Sequence, residues 1–301
     1  MHFARTEEQD LLAGTVRDLL RKRADSAAVR AAMESDLGYD EQLWRALCDQ
    51  VGVAALAVPE DRGGFGASLV ETAIVLEELG YVLAPTPLLA TASETARLLL
   101  ADGNPDELAA LAAGEVRPFS LGSVVLDPGT RVETLDPTLR LGRGDGSAPS
   151  ADLLDVAAAL ISALQVGAMQ RGLDMTVAYT KERRQFGRPI GSFQALKHRM
   201  ADMLVLVEAS RSASWAATAA AAAYVGAPSP RTRETLARRA AVVRRYCADA
   251  GAQVASETIQ LHGGIAITWE HDAHLVFKRL HSLAALSRAT GPGADVTQPT
   301  S

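Results

Sequence analysis

Between Glu115 and Ala151 the helical texture of this chain stops, and that interruption limits the architecture more than any other feature. The stretch is 37 residues long and holds five glycines and four prolines. Phe119 to Leu126 and Arg131 to Leu135 read as short strands, and Arg143-Gly144-Asp145-Gly146-Ser147 as a turn or linker. At about 5 to 6 residues per strand plus turns, only three or four strands fit. A small sheet packed on its neighbours is the most this segment builds, so the chain reads as mainly α.

On either side the apolar spacing is helical. Thr6-Glu7-Glu8-Gln9 is a capping-box pattern, and Leu12, Val16, Leu19 and Leu20 follow at helical intervals. Leu43, Trp44, Leu47 and Val51 mark a second helix from Asp40. The glycine-dense run Val58 to Gly66 then redirects the chain. Ser68 caps a third helix with Val70, Ile74, Val75 and Leu79 on its stripe, ending at Gly80, with Pro85 and Pro87 blocking continuation.

Beyond Asp152, Leu153 to Lys181 reads as one long helix stopped by Gly187 and Pro189. Ser192 is placed to cap the next, whose residues Phe193, Leu196, Met200, Met203 and Val207 form a seam suited to a helical bundle. Pro228 and Pro230 break the chain before a further helix over about Arg233 to Leu261. These textures divide the sequence into 1–114, a helical region; 115–151, a short β segment; 152–290, a helical bundle; and 291–301, a frayed tail.

Composition narrows the function classes. Of 301 residues, 48% are hydrophobic and 22% charged, with a net charge of -6 and a pI near 5.6. That balance argues against a dedicated nucleic-acid binder, which carries a basic face. Cys48 and Cys247 are the only cysteines, far apart and without metal-ligand spacing, so neither a disulfide framework nor a zinc site is expected. The N-terminus opens no signal-like apolar stretch, no run reads as a membrane span of about 18 to 20 apolar residues, and a cytoplasmic protein is expected.

Two segments carry the sharpest information. One is Arg183-Arg184-Gln185-Phe186-Gly187-Arg188-Pro189-Ile190 with Phe193-Gln194; the other is Gln260-Leu261-His262-Gly263-Gly264-Ile265 followed by Trp269-Glu270-His271. In this order they resemble the C-terminal helical domain of acyl-CoA dehydrogenases. Trp44, Val58-Pro59-Glu60, Gly63-Gly64-Phe65-Gly66, Glu77-Glu78-Leu79-Gly80 and Leu83-Ala84-Pro85 resemble that family's first helical domain, again in order. The fold so implied is an N-terminal helical domain plus a C-terminal four-helix bundle, joined by a much reduced β middle segment.

The resemblance also implies chemistry. In this family the two C-terminal segments reach across a dimer interface to the adenosine-diphosphate part of an FAD whose flavin ring sits in the neighbouring subunit. Carried over one by one, Arg183, Gln185, Phe186, Gln260, Gly263 and Gly264 contact a partner's cofactor. The residue types suit the task. Arginine donates to phosphate, glycine lets backbone amides approach, glutamine both donates and accepts, and phenylalanine offers a flat apolar face. The resemblance leaves His262 as packing, and Glu270 and His271 as structural.

The departures from the family are as telling. Its reaction removes a proton alpha to an acyl-CoA thioester while hydride passes from the beta carbon to the flavin, and needs a desolvated carboxylate base. Counting back from Phe186-Gly187, the base position on the long helix is Ala157; Asp155 lies two residues away, about 200° around the helix. The family's other base position, after the final helix, meets His281-Ser282-Leu283-Ala284-Ala285-Leu286, with no acid. The 37-residue middle is also far shorter than the family's flavin-gripping barrel, and Ala266 and Ile267 replace the usual glycine and aromatic.

The expectation is therefore a subunit without a catalytic residue of its own, working in a heterodimer or heterotetramer. A full-length acyl-CoA dehydrogenase partner would supply the flavin bed, substrate pocket and base, and this chain would complete a shared FAD site. Two alternatives stay open: a self-sufficient homo-oligomer using Asp155 or Glu270, and a structural or regulatory partner that touches no cofactor.

Overall fold

The protein is described by a computed structural model covering residues 5–127 and 134–291. Six helices come first: α1 (Glu7–Arg23), α2 (Ser26–Glu34), α3 (Glu41–Val51), α4 (Leu69–Val82), α5 (Leu88–Leu100) and α6 (Pro105–Ala112). Both expected caps form. Thr6 and Gln9 make a reciprocal capping box on α1, and Ser68 with Glu71 makes another on α4. Pro85 and Pro87 limit only a short loop, because Pro87 stands at the N-cap of α5. Helices α2, α5 and α6, which sequence reasoning did not separate, fill the intervals.

The middle segment holds strands β1 (Phe119–Ser120), β2 (Val124–Leu126) and β3 (Leu141–Arg143) in one antiparallel sheet of that order. Phe119 opposes Leu126, and Leu126 opposes Leu141. The single strand expected from Phe119 to Leu126 is split by a turn at Gly122, whose φ of 100° suits glycine. Of the second expected strand, Arg131 to Glu133 lies outside the described residues, and Thr134 and Leu135 are not strand. The third strand uses Arg143, which composition had assigned to a linker.

A buried ion pair ties this segment to the bundle. Arg279 is 1% exposed and lies 2.9 Å from the carboxylate of Asp136, itself fully buried. The guanidinium also donates to the Thr138 carbonyl at 2.8 Å and to the Leu83 carbonyl at 3.2 Å. One side chain thus joins the sheet segment, the end of α4 and the last helix.

The second half is a bundle of α7 (Ala151–Glu182), α8 (Gln194–Gly226), α9 (Pro230–His262) and α10 (Ala273–Ala289), with a hairpin of β4 (Arg184–Gln185) and β5 (Arg188–Pro189) between α7 and α8. Helix α7 is long and apolar enough to qualify as a membrane span, which the sequence reading had not found, yet 89% of its apolar window is buried inside the fold. It is surrounded by α4, α8, α9 and α10, which is why it is apolar all round. Pro230 does not precede α9 but opens it, at the first helical position behind the Ser229 cap. Ser192 lies in a single 3-10 turn, and α8 starts behind Phe193 without a side-chain cap. Met203 and Val207 of the expected seam are fully buried.

One apolar core runs through both halves, uniting Val16, Trp44 and Leu76 with Leu160, Ala217 and Val243. The Arg279–Asp136 pair is buried beside that core. Substituting Arg279→Met should cost about 3–5 kcal/mol in urea unfolding, because a buried carboxylate loses its partner. Adding Asp136→Leu to that variant should restore most of the loss, a recovery read from the same curves.

Candidate functional site

The six candidate residues lie at one end of the bundle. Helix α7 stops at Arg183, whose backbone turns extended at ψ 123° while its amide still donates to the Tyr179 carbonyl at 2.8 Å. The chain then makes a two-residue hairpin turn with Phe186 at φ 51° and Gly187 at φ 78°. Two successive positive φ angles match the twist of paired strands. The Ile190 amide closes the loop on the Arg183 carbonyl at 2.8 Å. Arg188 lies over the ring of Phe193 at 4.0 Å, bracing the base of the hairpin.

Phe186 is left at the tip, 92% exposed. A bulky residue in the left-handed region is strained, and beyond closing the two-residue hairpin nothing is gained by burying its ring. Its ring makes a loose edge contact with Phe193, at 6.2 Å between centroids.

The second segment leaves α9. Gly263 has φ 66° and ψ -145°, a backbone state open essentially to glycine alone, and it turns the chain into a 3-10 turn over Gly263–Ile267. A side chain built on Gly263 or Gly264 would meet nothing within 4 Å, so open space faces both. Gln260 is exposed one turn before them. Arg183, Gln185 and Gln260 make no side-chain hydrogen bond or ion pair among the described residues.

The two segments share a root. Tyr179, one turn before Arg183, stacks on His262, the last residue of α9, with ring centroids 4.6 Å apart and 27° between planes. His271 leans on both, 4.7 Å from His262 and 6.3 Å from Tyr179. Arg199 of α8 adds an ion pair to Glu257 of α9 at 2.6 Å. The expected packing role of His262 agrees with its burial, but the Tyr179 contact was not anticipated. Its signal was an aromatic residue four positions before the arginine, at the spacing of one helical turn. Ile265 and Ile267, exposed beside the glycines, were also missed as an apolar surface.

The groups at this end of the molecule suit a phosphate-bearing ligand. It offers an uncommitted guanidinium, an uncommitted amide side chain, unobstructed backbone and a flat apolar ring. A dinucleotide diphosphate fits that donor set.

Elsewhere, the candidate acids are already engaged. Asp155 is 6% exposed and accepts from Arg244 at 2.6 Å, with Arg233 at 3.4 Å. Ala157 is wholly buried in the core. Glu270 is exposed, and hydrogen bonds from its own amide and the Thr268 hydroxyl hold its carboxyl below the usual range.

The comparisons agree with the fold. Residues 6–111 match the acyl-CoA dehydrogenase N-terminal domain and residues 144–295 the acyl-CoA dehydrogenase C-terminal domain. The acyl-CoA dehydrogenase IpdE2 of Mycobacterium tuberculosis is 46% identical over 313 residues, spanning 93% of each chain. This chain belongs to the acyl-CoA dehydrogenase family. Among solved structures, a variant of the Tcur3481-Tcur3483 steroid ACAD superposes with a TM-score of 0.76 at 25% identity, covering 93% of this chain and 94% of that one. The ChsE4-ChsE5 complex from Mycobacterium tuberculosis gives 0.73 at 24% identity, with 96% of each chain covered.

The exposed tip yields a direct test. If Phe186 serves a surface outside this chain, Phe186→Gly should leave the isolated chain as stable or raise its stability by up to about 1 kcal/mol by relieving left-handed strain. A thermal melt showing a loss of that size instead would mean the ring packs within the chain.

Proposed function

We propose that this chain is the cofactor-completing subunit of a heteromeric FAD-dependent acyl-CoA dehydrogenase. A full-length partner carries the flavin bed, the acyl-CoA pocket and the base. The observation that carries this reading is the pairing of Arg183, Gln185 and Phe186 with Gln260, Gly263 and Gly264 at one end, all exposed, the side chains of Arg183, Gln185 and Gln260 without a polar partner among the described residues. Within the shared site, bound FAD supplies the hydride acceptor for alpha,beta-dehydrogenation of the thioester. This chain's residues bind and orient it: Arg183 offsets diphosphate charge, Gly263 turns the backbone so that the Gly264 amide approaches it, and Phe186 covers an apolar face.

Two further observations support a division of labour. The acid nearest the expected base position, Asp155, is neutralised by Arg244 and Arg233, which leaves no free carboxylate there. The described middle sheet is three strands of two or three residues, too small to enclose a flavin ring. Relatives described by paired names, the Tcur3481-Tcur3483 steroid ACAD and the ChsE4-ChsE5 complex, support an assembly of two different chains. The former also makes a steroid-derived acyl-CoA the class of substrate to test first.

Purified alone, the chain should be colourless; co-expressed with its dehydrogenase partner, it should give a yellow complex bleached by acyl-CoA. Arg183→Ala and Gln260→Ala should each weaken FAD binding by about tenfold or more, from loss of hydrogen bonds to a charged group worth roughly 1.5–3 kcal/mol. Wild-type flavin occupancy in both variants would overturn the reading. An isolated chain that oxidises acyl-CoA without another polypeptide would establish a self-sufficient enzyme instead.

A further inference from the structure

The two halves of the clamp spring from different helices, and a stack of rings joins their roots. His262 ends α9 and is 4% exposed. Its Nδ1 lies 2.7 Å from the Thr258 carbonyl oxygen, which can only accept, so the proton sits on Nδ1. Its Nε2 is buried and has no hydrogen-bond partner. The ring is therefore packed in its neutral form, with Tyr179 of α7 on one face and His271 of the following loop beside it. From α7 it also meets the Met175 carbonyl. Behind His271 stand Arg171 of α7, Arg30 of α2 and the Asp272 carboxylate that pairs with them at 3.7 and 2.8 Å.

A second proton on this ring has nowhere favourable to go. It would place a charged N–H in a buried position with only the Met175 carbonyl to turn to, and beside a second histidine. We propose that His262 is a positioning residue of the cofactor clamp: its neutral ring fixes the Gly263-Gly264 turn against the α7 end that carries Arg183, and protonation opens that joint and loosens the grip on FAD. This rests on the clamp reading given above.

The direction of the pH effect follows from burial. Desolvation, and to a smaller degree His271, hold His262 below its ordinary range, against the pull of the Thr258 and Met175 carbonyls. An opened joint lets the ring titrate near the ordinary histidine value of about 6.5. The closed joint is therefore fully favoured above that pH and is lost as pH falls below it toward the lower closed-state value. One coupled proton weakens FAD retention by up to about tenfold per pH unit in that window.

The test uses the complete complex with the FAD-binding partner and measures free FAD by its fluorescence after dilution, between about pH 8 and about pH 5.5, the range in which histidine titrates. Wild type should retain FAD evenly above about pH 6.5 and lose it with the slope just given below that value. His262→Asn, which keeps an N–H for the Thr258 carbonyl but takes up no proton, should flatten the acid limb. His262→Gln carries the same comparison if the asparagine variant does not assemble. A flat wild-type curve overturns the proposal. So does a variant curve that keeps the wild-type slope, even if lowered at every pH, because uniform loss is what a purely structural role gives. Flattening by His271→Asn but not by His262→Asn does so as well. Arg183→Ala separates the two levels: normal retention in that variant sinks the clamp itself, whereas loss there with an unchanged His262→Asn slope sinks only the positioning role.

Discussion

The crossing of α4 over α7 is the contact on which the rest of the molecule depends. A Cβ at Gly167 would sit 1.9 Å from the Glu77 carbonyl oxygen, and one at Gly80 would sit 2.4 Å from that of Leu164. The two backbones therefore touch, and only glycine permits it at either position. That proximity merges the first helices and the bundle into one core and holds α7 on every side along most of its length. A helix so restrained presents its far end, and the hairpin after it, in a defined place.

The short middle segment is accommodated by a different device. Three brief strands bury Phe119 and Leu126 against the helices, and Arg279 reaches from α10 to Asp136, Thr138 and Leu83 together. A buried charge is costly, so its retention at this junction makes sense as a specific tie between elements far apart in sequence. The chain thereby closes its fold without a large β domain. What it does not close is the end of the bundle, where Phe186, Ile265 and Ile267 remain open to a neighbour.

Much of this was legible in the residues themselves. Thr6 with Gln9 and Ser68 at the head of its apolar stripe named two helix starts, and Leu153 to Lys181 read as one long helix, which α7 is. Errors fell where local chemistry has two meanings. Proline was read as a breaker at Pro230, yet it is equally suited to a first helical turn, and the Ser229 cap settled the choice. The strand Leu141–Arg143 was missed because a glycine-rich run reads as turn unless its partner strand is known. At the site, the residue types singled out two segments that the fold brings to one end of the molecule. Their exposure, the strained Phe186 and the Tyr179–His262 stack depend on tertiary packing between helices far apart in sequence, which no local pattern encodes.

The central claim is that the hairpin and the glycine turn close together over a cofactor seated in another chain. Hydrogen exchange at their backbone amides tests this most directly, comparing the chain alone, the complex without FAD and the complex with FAD. The account predicts that residues 183–187 and 263–265 gain protection together, with a further step when FAD is added. Exchange at both segments that stays as fast in the FAD-loaded complex as in the isolated chain would contradict it.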